Sequence, residues 1–129
     1  MAREPVVLDA QQRQIVFDVL TKAFAILNVP LAGLAVSAMH AHVLARLERG
    51  RRTKGGCLIT DPARHFFGIA RKHASRRMSD LGVISGSLWS KGTKVVPIAD
   101  RNHFLSTRNY IGRHTAEGAV VWVADEGVF

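Results

Sequence analysis

Four side chains of this 129-residue sequence have the types and spacing for metal-assisted chemistry. His40 and His42 stand two apart in the apolar run GLAVSAMHAHVLARL. Since residues two apart on a β-strand point to the same face, both imidazoles would project together, as two ligands of one metal ion do. Two surface histidines on a strand edge are the alternative interpretation, so the pair needs further groups to complete a site.

Tyr110 and His114 are the residues that could complete it. Together with His103 and Thr107 they follow the spacing +4, +3, +4, which places all four on one face of a helix. A divalent metal held by His40, His42 and His114 would orient a phosphate for attack by the Tyr110 hydroxyl. Because the ordinary pKa of tyrosine is near 10, the hydroxyl needs such help. An ordinary, partly buried helix residue is the alternative for Tyr110.

Three helices are predicted from capping residues and apolar periodicity. Asp9 and Gln12 have capping-box spacing and begin the first helix, which Asn28 and Pro30 end. Asp61 and Pro62 begin the second, with Gly82 closing it. Its predicted buried stripe comprises Phe67, Ala70, Ala74, Met78 and Leu81. Asp100 caps the third helix, which runs to about Gly112 or His114.

Four strands are predicted between and after these helices. They span residues 31–36, 40–47, 94–98 and 118–124, with a turn at residues 37–39. On the second strand, Ala41, Val43, Ala45 and Leu47 would face the core. A sheet covered by helices on one side would leave the histidine face open to a ligand. We find no internal repeat and expect one domain over residues 1–129.

The charge balance predicts a polyanionic partner. Lys and Arg number 18 against 10 Asp and Glu, a net charge of +8, and the sequence pI is about 10.8. Nucleic acid is the first expectation, and an anionic membrane surface or a merely solvated basic surface are the alternatives. The predicted DNA-binding residues are basic side chains spread over the second strand and the later segments: Arg46, Arg71, Lys72, Arg76, Arg77, Lys91, Arg108 and Arg113.

Other features limit the class of protein. No apolar run approaches the roughly 20 residues that span a bilayer, and Met1 to Asp9 lacks the apolar stretch of a signal peptide. The single cysteine, Cys57, cannot form an internal disulfide, which fits a reducing cytoplasm. We therefore expect a cytoplasmic protein without membrane association.

The same residues carry a resemblance to a known family. The run AMHAHVLARL resembles the histidine–hydrophobic–histidine strand of the single-tyrosine HUH transposases, which include the REP-associated tyrosine transposases and their domesticated relatives. The likeness continues through RKHASRRMSDLG, the tryptophan loop GSLWSKG around Trp89, and RNYIGRHTAEGAVVW. It covers about Asp9 to Trp122.

This resemblance implies a ferredoxin- or RRM-like α+β fold, in which an antiparallel sheet is backed by helices on one face. It implies cleavage and rejoining of single-stranded or hairpin DNA through a 5′-phosphotyrosine, with Mg²⁺ or Mn²⁺ as cofactor. His40 and His42 match the metal-binding pair, Tyr110 the nucleophile, and His114 the position of a further metal contact. Many members form homodimers, some with the tyrosine helix exchanged between active sites, so a monomer and a homodimer both stay open here.

The sequence also departs from the family. Ala38 and Met39 replace the usual Pro-Asn before the first histidine, and Ala41 is the smallest choice between the two. A histidine at position 114 favours Zn²⁺, Ni²⁺ or Mn²⁺ over Mg²⁺. Two other functions stay open: a domesticated, non-catalytic protein that binds DNA hairpins, and a phosphoesterase that uses metal-activated water.

Overall fold

The computed structural model describes residues 7–38, 40–48, 50–81 and 95–124. Its helices and strands are, in chain order, α1 (Ala10–Ile26), β1 (Leu31–Val36), β2 (Ala41–Ala45), α2 (Pro62–Asp80), α3 (Arg101–Arg113), the 3₁₀ helix η1 (His114–Glu117) and β3 (Val120–Val123). None of the helices within these ranges is long and apolar enough to cross a membrane.

The helices begin where the capping residues predict. At α1 the Asp9 carboxylate accepts from the Gln12 backbone N–H at 2.8 Å, and the Gln12 side chain accepts from the Asp9 N–H at 2.9 Å. Each bond satisfies an N–H that the first helical turn would otherwise leave unpaired. At α2 and α3 the side chains of Asp61 and Asp100 likewise accept from the backbone N–H three residues on, that of Arg64 and of His103, without the reciprocal bond. These three starts are confirmed.

The buried line of α2 differs from the predicted stripe. Phe66, Ala70, Ala74 and Met78 are buried, whereas Phe67 is only half-buried and packs edge-on against another ring. Leu81 is 44% exposed, so it does not belong to the core. Residues four apart lie in one row along a helix. The row of α2 that packs in the core with α1 contains Ala70, Ala74 and Met78, and counting back four residues from Ala70 gives Phe66 and not Phe67. Gly82 lies outside the described residues.

The sheet has the order β2-β1-β3, with both pairings antiparallel, and β1 is its central strand. β1 has the predicted bounds, and β2 and β3 lie within the longer predicted strands. Ser37 closes the turn before β2, since its backbone N–H donates to the His40 carbonyl at 2.8 Å. Residues 95–98 form no strand, and Lys94 lies outside the described residues. Pro97, which lacks a backbone N–H, weakens any ladder there.

Helices contact both faces of the sheet. Leu34 and Val36 of β1 share one core with the buried sides of α1 and α2, and Ala41, Val43, Ala45 and Leu47 pack against the same core as predicted. On the other face, Ala35 and Leu44 form a second core with α3. The α+β class is confirmed. However, α3 covers part of the face that was expected to be open.

Glycine allows this close approach of α3. A Cβ atom at Gly33 would lie 3.5 Å from the Ile111 side chain and 3.5 Å from Cβ of Leu44. Those are ordinary contact distances, so there is room for a methyl group but not for a larger side chain without displacing Ile111. The packing of Ile111 over Gly33 thus sets how near the last turn of α3 comes to β2.

Candidate functional site

His42 lies on the sheet face that α3 contacts. It pairs across the ladder with Ala35, which in turn pairs with Val121 on the other side. These neighbours are small or branched and apolar, so the half-buried His42 is the polar side chain in its row. The strand alternation that predicts this orientation is confirmed, because Ala41 and Val43 pack into the opposite core.

Tyr110 and His114 approach the same place from α3 and the start of η1. Ile111 is buried at 2% exposure and holds the helix against the sheet, while the adjacent Tyr110 is 53% exposed. The Tyr110 and His114 rings lie one turn apart, with centroids separated by 4.8 Å. The buried residue therefore orients its neighbours towards the sheet edge.

Three of the four proposed site residues are in mutual contact. The His42 ring centroid lies 4.6 Å from that of His114 and 5.7 Å from that of Tyr110. His40 stands further out: it is exposed, it lies just before β2, and its ring centroid is 6.3 Å from that of His42. One chain thus brings together a strand histidine and the tyrosine helix, which are far apart in sequence.

These rings surround an open cleft of about 480 Å³, a volume within the usual range for small-molecule sites. Its lining residues are Ser37, His40, His42, Tyr110, Arg113 and His114. Among the residues that the structure describes, the lining contains imidazole, phenol, hydroxyl and guanidinium groups but no carboxylate. These groups offer donors to an anion and nitrogen ligands to a metal, whereas Mg²⁺ prefers oxygen ligands.

The hydrogen bonding of His114 suits a ligand role. Its Nδ1 lies 2.9 Å from the Tyr110 carbonyl oxygen, which can only accept, so Nδ1 carries the proton. The nitrogen that can bind a metal ion through its free lone pair is then Nε2. Metal-binding histidines commonly donate their other ring N–H to a carbonyl in this way, which fixes the tautomer and the ring orientation.

The spacing of the three imidazoles fits a shared ion only in part. An ion about 2.1 Å from a ring nitrogen is about 3.2 Å from that ring's centroid, so two rings on one ion are at most about 6.4 Å apart. The His42–His114 separation satisfies this limit easily, and the His40–His42 separation barely does. Within the ranges that the structure describes, no group of three or more His, Cys, Asp or Glu residues is arranged to hold an ion. His42 and His114 are therefore the better-placed pair.

The basic residues predicted to bind DNA do not form one surface. Arg113 lines the cleft and is exposed. Arg108 lies on the same helix, but its Nε donates to the carbonyl of Ala124, so it ties α3 to the end of β3. Arg46 is exposed just after β2. Of the predicted cations that the structure describes, only Arg113 is thus among the cleft residues.

The remaining predicted cations are on α2, or outside the described residues. Arg71, Lys72, Arg76 and Arg77 belong to α2, whose buried side shares its core with α1 and the opposite face of the sheet. Lys91 and the tryptophan loop around Trp89 fall on residues that the structure does not describe. The structure therefore separates a group of cations from the cleft.

Ser37 is a cleft residue that the sequence analysis treated only as part of a turn. Its hydroxyl donates to the His40 carbonyl and accepts from the His40 backbone N–H, both at 3.1 Å. A serine three residues before a candidate ligand is a turn-forming signal that could have pointed to this role. Ser37 thereby positions His40 at the rim of the cleft.

Comparisons with models of protein families, with curated proteins and with solved structures found no match for this chain.

Proposed function

We propose that this protein cleaves and rejoins single-stranded DNA through a covalent tyrosine–DNA intermediate. The observation that supports the proposal is the contact of Tyr110 with His42 and His114, two histidines from different elements, in one open cleft. A general metal-binding surface has no need of an exposed tyrosine at this position. The resemblance to single-tyrosine HUH transposases gives the same roles to the same residues.

In the proposed reaction, the Tyr110 hydroxyl oxygen attacks the phosphorus of a phosphodiester. The bond from phosphorus to the 3′-oxygen breaks, Tyr110 keeps the 5′-phosphate, and the tyrosine proton is balanced by the one that the released 3′-hydroxyl takes up. Attack by a 3′-hydroxyl on the phosphotyrosine reverses these steps and joins a strand. Each step exchanges one phosphate ester for another, so strand joining needs no external energy source.

The residues of the cleft have separate roles in this scheme. His42 and His114, with His40 at the rim, would hold a divalent ion, and the ion when bound would polarise a phosphate oxygen and neutralise developing charge. The imidazole donors favour Mn²⁺, Zn²⁺ or Ni²⁺ over Mg²⁺. Arg113 would contact a non-bridging phosphate oxygen, because guanidinium groups match phosphate geometry. Since one chain brings Tyr110 to His42, the proposed reaction can use residues of a single chain, whether the protein is a monomer or a homodimer.

The direct test looks for a covalent bond between DNA and tyrosine, which in this protein can form at one position. Tyr110 is the only tyrosine, so any phosphotyrosine must form there. We would incubate the protein with Mn²⁺ and a pool of random single-stranded oligonucleotides, labelled at the 3′ end in one sample and at the 5′ end in another. An alkali-stable adduct that retains the 3′ label, and that is absent with Tyr110→Phe, is the expected result.

Two other outcomes would replace the proposal. Cleavage that persists in Tyr110→Phe without an adduct would indicate metal-activated water, hence a phosphoesterase. The absence of adduct and cleavage, together with salt-sensitive binding to DNA hairpins, would indicate a non-catalytic DNA-binding protein. A cytoplasmic location belongs to the same proposal, since the single Cys57 is exposed and free.

A further inference from the structure

Arg13 is a half-buried cation of α1 to which the proposed reaction assigns no role. It lies near the end of the sheet at which the cleft is found. There Val36, the last residue of β1, pairs with β2 on one side and with β3 on the other. Residues 37–40 and residues 114–119, which carry histidines of the cleft, therefore leave the sheet at the same end. Arg13 contacts the supports of both stretches.

The first contact supports the turn before β2. Nη1 of Arg13 donates to the carbonyl oxygen of Leu8 at 2.9 Å. The backbone N–H of Leu8 in turn donates to the carbonyl oxygen of Ala38 at 2.8 Å. Leu8 is 5% exposed and packs in the core beside α1, so it is a fixed support. Arg13 therefore holds, through Leu8, the turn that ends at His40.

The second contact supports the segment after α3. Nη2 of Arg13 lies over Gly118, where it would be 3.8 Å from an added Cβ atom. Gly118 has a φ of +82°, a conformation that glycine adopts easily, and its N–H donates to the Thr115 carbonyl at 3.1 Å. The next N–H, that of Ala119, donates to the His114 carbonyl at 3.2 Å. Arg13 thus packs on the turn that holds the backbone of His114.

The third nitrogen of the guanidinium indicates that stability does not explain this arginine. Nε of Arg13 is buried and has no hydrogen-bond partner among the described residues. A buried donor without an acceptor costs free energy, and an unbranched apolar side chain would fill much of the same space without that cost. What an apolar side chain cannot do is reach both turns with one rigid group. The planar fork of a guanidinium keeps its terminal nitrogens at a fixed separation.

We propose that Arg13 is a positioning residue of the cleft, whose guanidinium fixes residues 37–40 relative to residues 114–118. It thereby sets the distance between His40 and His114. Arg13 is not among the described residues that line the cleft, so it acts through the two turns and not on the reacting atoms. Its effect on reaction rate rests on the proposed function. A displacement of about 1 Å in a reacting group can cost about 100-fold in rate, so a small shift of either turn is sufficient.

The kinetic test compares two variants of α1. Arg13→Met removes the guanidinium, and adduct formation at saturating oligonucleotide and Mn²⁺ should fall about tenfold, as when a group that orients a metal ligand is lost. The oligonucleotide concentration at half-maximal rate should stay within about twofold, because ground-state binding is not affected. Lys22→Met removes the same charge from an exposed site on the same helix and should react like the wild type. Circular dichroism and urea denaturation report whether each variant is folded under the assay conditions.

Three kinetic results would overturn the inference. The first is an unchanged saturated rate in Arg13→Met, or an equal loss in Lys22→Met. The second is a change confined to the half-saturating concentration, which would make Arg13 a DNA contact. The third is full recovery in Arg13→Lys, which keeps the charge but lacks the rigid fork and should recover only part of the lost rate.

The ring signals of the histidines test the same inference without any reaction. In ¹⁵N-labelled Arg13→Met, His114 should lose its single Nδ1–H tautomer and the ring protons of His40 should shift, whereas His73 on α2 should match the wild type. If the wild type forms no adduct, the proposed reaction fails, and these signals still decide the role of Arg13. Unchanged His40 and His114 signals would overturn the inference.

Discussion

α2 and α3 are two capped amphipathic helices on opposite sides of one sheet, and they present different chemistry. α3 places Tyr110 next to His42 of a strand, with His114 directly after the helix. α2 presents Lys72 and Arg76 to solvent, where no side chain of the described sheet meets them. A reactive centre requires atoms from several elements to converge, whereas recognition of a charged backbone can be achieved by one exposed helix face. The two regions therefore depend on the fold to different degrees.

The cores on which the two helices pack also differ in size. The buried side of α2 belongs to the larger core, which also includes α1 and Ile59. α3 rests on a smaller core in which Phe104 and Ile111 meet Ala35 and Leu44. Loss of one apolar contact should disturb the cleft more than it disturbs the α2 face.

The largest expected effect is on the cleft alone. His42→Ala removes the imidazole that contacts both Tyr110 and His114, so adduct formation should fall by roughly 100-fold or more, given that loss of an outer partner of a metal ligand already costs about 10- to 100-fold. Quantified adduct gels, with His73→Ala on α2 as control, measure the loss. An equal loss of adduct in His73→Ala would contradict the assignment of His42.

A smaller effect, on stability, is expected when the side chain that anchors α3 to the sheet is shortened. Ile111→Ala should lower the free energy of unfolding by about 2–5 kcal/mol, because Ile111 is 2% exposed and its truncation leaves a cavity above Gly33. Urea denaturation measures the change. Ile26→Ala is the matched control, since Ile26 is 80% exposed and its truncation should change stability by less than about 0.5 kcal/mol. Similar losses in the two variants would mean that α3 is not anchored through Ile111.

The smallest expected effect concerns the start of α2. The Arg64 side chain, and its backbone N–H, hold the pKa of the Asp61 carboxyl below its ordinary value of 3.8. A folded-state pKa below the unfolded value means that this carboxylate stabilises the fold above about pH 4 and loses that contribution as pH falls through the folded pKa. Carboxyl NMR titration should show Asp61 titrating higher in Arg64→Gln than in the wild type. An unchanged titration would contradict the role of Arg64. We expect only a slight change in stability, because the pair is exposed.

Local structure followed closely from the sequence. Asp9, Asp61 and Asp100 cap the helices because an aspartate side chain can satisfy free N–H groups within its own turn. β1 has its predicted bounds because its short apolar run lies between Pro30 and the turn residue Ser37, and a run of six residues is too short for a typical buried helix. The buried line of α2 contains the predicted Ala70, Ala74 and Met78 but differs at its ends, where Phe66 replaces Phe67 and Leu81 is exposed, because periodicity alone does not state which neighbour the helix packs on.

The histidines and the tyrosine of the cleft could be picked out from the sequence, whereas Ser37 and the arrangement of these residues could not. His40 and His42 belong together through strand alternation, and Tyr110 and His114 through helical spacing. Nothing in either pattern sets the distance between strand and helix, which depends on Ile111 packing over Gly33. That packing brings His42 within contact of both α3 side chains and leaves His40 at the rim.

For the basic residues too, the sequence determines one property and the folded chain another. Their number and the charge of +8 are properties of the sequence, and they predict a polyanionic partner wherever the cations lie. Their distribution is a property of the folded chain: Arg113 in the cleft, Arg108 bound to the Ala124 carbonyl, and Lys72 on the far side of the sheet. Short-range patterns encode which face of an element is apolar, since that depends on neighbours a few residues away. Which faces meet depends on contacts between residues distant in the chain, and these form only when the cores on both faces of the sheet are packed.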